Sequence, residues 1–205
     1  RMPVQAVYRF SGGGARRRIV AGTVEAGRLR VGDPIIFYPS GKTTRVRSIE
    51  CFPPQQVLEV EAGRATGFTL EEQVYVRRGE VVARVGEPAP VVTQSIRADL
   101  FWLGKRPMRY GVPYQLKVGT ARVEAHLEKI IRVINAGDLT VKEGQEEIGR
   151  HEVAACLLRL AKPVAVDRVE DIPQLGRFVI VDQYEISGGG IVREAYPVES
   201  RQELA

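Results

Sequence analysis

A chain of 205 residues has room for one large domain or two of about 100 residues, with a core that needs neither metals nor disulfides. At 44% hydrophobic and 27% charged residues, the composition is that of a globular protein; no apolar run approaches the ~18 residues of a membrane span, and no secretory segment stands near the start. The net charge of +5 is unevenly divided, residues 1–91 holding 14 Lys/Arg against 9 Asp/Glu and residues 92–205 holding 16 of each.

In chain order the first signal is VQAVYRF, where Val4, Ala6, Tyr8 and Phe10 share one face of a half-buried strand while Gln5 and Arg9 point away. The glycine run 12–14 reads as a hairpin turn, and Arg16, Arg17 and Arg18 follow it directly. This is the densest basic cluster, a candidate contact with a partner, although no aromatic residues interleave with it. Short alternating runs continue at 19–25, 34–38, 45–49, 57–61 and 81–85, separated by Gly- and Pro-rich turns. Many short strands spaced by turns predict a small closed barrel, which also removes exposed strand edges.

The tetrapeptide GKTT (41–44) looks like the end of a phosphate-binding P-loop. That loop needs Gly-x-x-x-x-Gly-Lys-Ser/Thr, and the first position is Ile36. With strands on both sides, Pro39, Ser40 and Gly41 read instead as a tight turn followed by an exposed Lys42.

The proline-bearing stretch 86–94 predicts a boundary, giving units 1–90 and 91–205. Strands resume at 95–104, 114–119, 121–135, 151–167 and 176–183. The β-branched IIRVI favours strand over helix in 121–135, and the polar stretch 135–149 has room for one helical turn at most. The glycine run 188–190 reads as another hairpin turn. No long helix is expected.

Titrating groups are few and scattered. His126 and His151 have no metal-ligand spacing, and the adjacent pairs Glu71/Glu72 and Glu146/Glu147 point to opposite faces of any strand. Cys51 and Cys156 lie among apolar neighbours and predict buried, reduced thiols. No catalytic, cofactor-binding or metal residues are read from this chain; it is expected to bind or scaffold.

Three segments carry a resemblance. The run 22–33 follows G-x-V-x-x-G-x-(L/I)-x-V-G-D, 62–70 follows A-G-x-x-x-x-(L/F)-x-L, and 78–83 follows R-G-x-V-(L/V)-A. Together they resemble the second domain of the elongation factor Tu superfamily. Within it PSGKTTRVRSIE, LKVGTARVEAHLEKIIRVIN, EEIGRHEVAACLLRLAKPVAVD and GRFVIVDQ are similar to the large, GTPase subunit of sulfate adenylyltransferase. One departure is EISGGGIV, where the family has Gly-Ala-Gly after Thr-Val.

The resemblance implies an all-β chain of two consecutive small β-barrels of the elongation factor Tu domain 2 and domain 3 type. It implies a cytoplasmic protein whose GTP and Mg²⁺ belong to an upstream GTPase domain, since no P-loop, Asp-x-x-Gly or Asn-Lys-x-Asp motif occurs here. The chain is thus expected to be an excised carboxyl-terminal portion. Expected partners are that GTPase domain and the small adenylyltransferase subunit, with no membrane and no specific nucleic acid. The alternative is the tRNA-binding barrels of a translation GTPase.

Overall fold

The computed structural model describes residues 1–12, 15–51 and 56–198. The chain divides into two compact units, Arg1–Pro90 and Val91–Ala205.

The first unit contains β1 (Met2–Gly12), β2 (Ala15–Thr23), β3 (Arg28–Arg30), β4 (Pro34–Tyr38), β5 (Lys42–Glu50), β6 (Glu59–Glu61), β7 (Ala65–Leu70) and β8 (Val81–Arg84). Six strands close a barrel in the order β1-β2-β7-β5-β4-β8, with β8 pairing back onto β1, while β3 and β6 form a separate ribbon. Alternation decides which side chains fill it. In β4, Ile35 and Phe37 are fully buried between partly exposed neighbours, and in β5, Thr44 and Val46 point inward between exposed Thr43, Arg45 and Arg47. Asp33 makes the preceding turn, accepting the Arg30 N–H at 2.8 Å and pairing with Arg84 at 3.3 Å.

One part of the expected alternation fails. The β1–β2 register shifts between Val4 and Ala6, so Gln5 is an extra residue and every side chain beyond it changes face. Val4 and Val7 pack inward, whereas Tyr8 and Phe10, expected on the same face as Val4, are each 54% exposed.

The second unit contains β9 (Val91–Trp102), β10 (Met108–Arg109), β11 (Tyr114–Val118), β12 (Ala121–Asn135), β13 (Val141–Lys142), β14 (Glu147–Ile148), β15 (Glu152–Val166), α1 (Pro173–Gly176), β16 (Arg177–Asp182) and β17 (Glu185–Pro197). The order β11-β16-β17-β9-β15-β12 closes through the β11–β12 pairing, β13 extends the edge of β12, and β10 pairs with β14. Register shifts in the long β12 and β15 let these strands bend around the barrel. Trp102 is fully buried, donates its indole N–H to the Arg106 carbonyl at 2.7 Å, and meets Tyr114 edge-on at 5.6 Å.

Three further expectations are corrected. The irregular stretch 86–94 ends early, because β9 begins at Val91 and Thr93 is buried, its hydroxyl within 2.7 Å of the Ser95 carbonyl. The single helical turn among the described residues is Pro173–Gly176, which Pro173 opens, and 135–149, with room for one turn at most, holds none. Cys51 is exposed, so only Cys156 is a buried thiol.

The glycines 188–190 make no turn; they lie inside β17, paired with β16 on one side and β9 on the other. A Cβ at Gly188 would stand 2.9 Å from the Trp102 ring, and one at Gly190 would stand 2.5 Å from the Phe178 ring and 2.6 Å from the Asp99 carbonyl oxygen. Glycine here makes room for two aromatic rings. The other glycine run, 12–14, has Gly13 and Gly14 outside the described residues.

Candidate functional site

The arginine cluster lies on β2. Cross-strand register sets Arg17 opposite Phe10, Arg18 opposite Arg9 and Ile19 opposite Tyr8. Directly paired residues share a face, so exposed Tyr8 and Phe10, whose rings are 6.5 Å apart, sit beside Arg17. Aromatic residues therefore do interleave with the basic cluster, contributed by the other strand. Arg17 also forms an ion pair with Glu50 of β5. Arg16 pairs in register with Ser11.

The GKTT segment is the β4–β5 hairpin. Gly41 turns the chain at φ 72° and donates its N–H to the Phe37 carbonyl at 2.7 Å. Lys42 lies on the inward-facing register of β5 at the barrel's mouth, and is half-buried where an exposed side chain was expected. Its long stem lets the ammonium reach outward. Nζ donates to the Tyr75 carbonyl at 2.6 Å and lies 5.2 Å from the centre of the Tyr75 ring, and the Arg77 guanidinium lies 5.0 Å from the same centre. Thr44 serves packing, its hydroxyl accepting the Glu72 N–H at 3.2 Å. Nothing in this hairpin aims successive N–H groups at a phosphate.

A cleft of about 540 Å³ opens in the second barrel beside Arg106, Arg109, Tyr114, Asp182 and Gln183. Arg106 pairs with Asp182 at 3.0 Å and Arg109 with Glu147 at 2.7 Å. The Tyr114 hydroxyl accepts the Arg109 N–H at 2.9 Å, and burial pushes its phenol above the ordinary range. The cleft thus offers guanidinium donors and an apolar wall, without an activated nucleophile or base. It is assembled from segments far apart in sequence, and no local pattern announced it.

His126 lies 3.0 Å from Glu124 on the outside of β12, and His151 occupies a turn at φ 64°. Burial, with a smaller contribution from Asp99, pushes the Cys156 thiol up to about 12, so it stays protonated and inert. Among the described residues no cluster of three His, Cys, Asp or Glu could hold a metal ion. Among the described residues no helix is long and apolar enough to cross a membrane.

Residues 95–193 match the family described as GTP-eEF1A C-terminal domain-like. The chain is 29% identical to Sulfate adenylyltransferase subunit 1 of Laribacter hongkongensis, over 100% of this chain and 43% of that protein. It is 32% identical to the same subunit of Vibrio parahaemolyticus, over 95% of this chain and 40% of that protein. To Elongation factor 1-alpha of Aeropyrum pernix it is also 32% identical, over 97% of this chain and 45% of that protein. It therefore spans less than half the length of these curated relatives. A crystal structure of sup35 complexed with GDP superposes with a TM-score of 0.84 at 20% identity, over 95% of this chain and 47% of that one.

These likenesses establish two closed barrels of the elongation factor Tu domain 2 and domain 3 type. The cleft lies within residues 95–193, the stretch that matches the GTP-eEF1A C-terminal domain-like family. The arginine ribbon and the Lys42–Tyr75–Arg77 cluster lie outside the residues that match that family.

Proposed function

We propose that this chain is the carboxyl-terminal barrel pair of the GTPase subunit of a sulfate adenylyltransferase, supporting its GTPase domain and docking the small subunit in the cytoplasm. The observation that carries this reading is similarity to subunit 1 proteins along nearly the whole chain at 29% and 32% identity. In that assembly GTP and Mg²⁺ bind the GTPase domain, and adenylyl transfer from ATP to sulfate takes place on the small subunit. The barrels act by holding geometry, transmitting a nucleotide-dependent domain movement to the partner.

The 32% identity to Elongation factor 1-alpha favours a second reading, barrels that carry aminoacyl-tRNA. One experiment separates the two. The full-length protein is assayed with the small subunit for GTP-stimulated adenylyl sulfate formation, and in parallel for aminoacyl-tRNA binding. Stimulated synthesis without discrimination between charged and uncharged tRNA supports the sulfate reading. Tight binding that requires the aminoacyl group replaces it with the translational one.

A further inference from the structure

We propose that Lys42, Tyr75, Arg77 and Arg78 form a docking site for an extended, carboxylate-rich segment of a partner protein. The platform is fixed from below. Val76 is buried in the first barrel, so Tyr75 and Arg77, one residue to either side, face outward. The Arg77 N–H is held at 2.8 Å by the carboxylate of Glu80, which is only 7% exposed and turned toward the backbone. Arg78 reaches the Gln5 carbonyl at 3.4 Å. Lys42 arrives from the hairpin, 33 residues away in sequence, and fastens the Tyr75 carbonyl.

Charge selects the occupant. Among the described residues no carboxylate lies within ion-pair distance of Lys42, Arg77 or Arg78. The ammonium spends one donor on Tyr75 and keeps two, and the Arg77 guanidinium keeps its fork. The cations crowd around one half-exposed ring, so a carboxylate arriving between them relieves their mutual repulsion and finds donors already placed. Nucleic acid fits less well. The Tyr75 ring that a base would stack on is engaged by two cations.

Fluorescence anisotropy of the 205-residue chain with labelled octaglutamate, and with a labelled uridine oligonucleotide of matched charge, tests the site at about 50 mM salt. Octaglutamate is expected to bind more tightly than the oligonucleotide. Lys42→Glu with Arg77→Glu should weaken it at least about tenfold, and Arg77→Gln, a milder surface change, should weaken it measurably. A control pair on the second barrel, Arg122→Glu with Lys129→Glu, changes net charge equally and should leave most of the affinity. Circular dichroism melts confirm that each variant is folded. The proposal is overturned by absent octaglutamate binding, by equal losses in the two charge-reversed pairs, or by tighter oligonucleotide binding through the same residues.

Discussion

The two barrels close antiparallel sheets in the same manner but treat their charges differently. On the second, arginines meet carboxylates of the same barrel: Arg193 bridges Asp99 at 2.7 Å and Glu170 at 2.6 Å, Arg97 meets Glu194 at 3.0 Å, and Arg159 meets Glu128 at 2.6 Å. On the first, Arg17, Arg30 and Arg84 are paired, while Lys42 and Arg77 flank a tyrosine, beside Arg78, with no carboxylate in reach among the described residues. Exposed ion pairs contribute little to stability, so the contrast concerns recognition. Among the described residues both barrels carry exposed cations without an ion pair, Arg122 and Lys129 on the second among them; the first differs in gathering two, Lys42 and Arg77, over one exposed ring.

The barrels also separate experimentally, because the single tryptophan, Trp102, is in the second. Phe68→Ala empties a fully buried site in the first barrel and should cost about 3–5 kcal/mol. Far-ultraviolet circular dichroism should then show an early transition without a matching change in Trp102 emission; an equal shift of both signals would mean that the barrels unfold as one. Gly190→Ala drives a methyl against Phe178 and the Asp99 carbonyl and should cost about 1–3 kcal/mol. That loss should be seen in tryptophan emission, and an unchanged melt would remove the close-approach explanation.

A pH effect follows from Cys156. Its native thiol ionises only near 12 against an ordinary value of 9.0. Below about pH 9 the thiol is neutral in both states and its contribution is intact. Above that the unfolded chain gains by ionising, so the second barrel should lose about 1.4 kcal/mol per pH unit until the native value is reached. Guanidinium unfolding followed by Trp102 emission should show a shallower alkaline loss in Cys156→Val. The smallest change is Lys42→Ala, which removes the bond to Tyr75 and a half-buried stem, at about 1 kcal/mol. A midpoint identical to wild type would return Lys42 to a free surface side chain.

Much of the fold was legible because strand alternation is local: Ile35 and Phe37 in β4 announce an inward face without help from any other segment. The candidate surfaces depend on distant neighbours. A single extra residue, Gln5, turned Tyr8 and Phe10 outward, and only the pairing with β2 placed them beside Arg17. Lys42 was read as exposed because its anchor, Tyr75, belongs to another connection. The cleft draws Tyr114 and Asp182 from opposite ends of the second barrel's sequence. The run 188–190 misled for a different reason, since glycine marks both a turn and a strand that must pass close to bulky rings.

The three glycines of that run are not equally constrained. At Gly189 an added Cβ would meet the Phe178 carbonyl oxygen at 3.6 Å, ordinary contact, whereas its two neighbours have no such space. The middle letter can drift and the outer two cannot. A Gly-Ala-Gly run would therefore make the same backbone approach as the Gly-Gly-Gly found here.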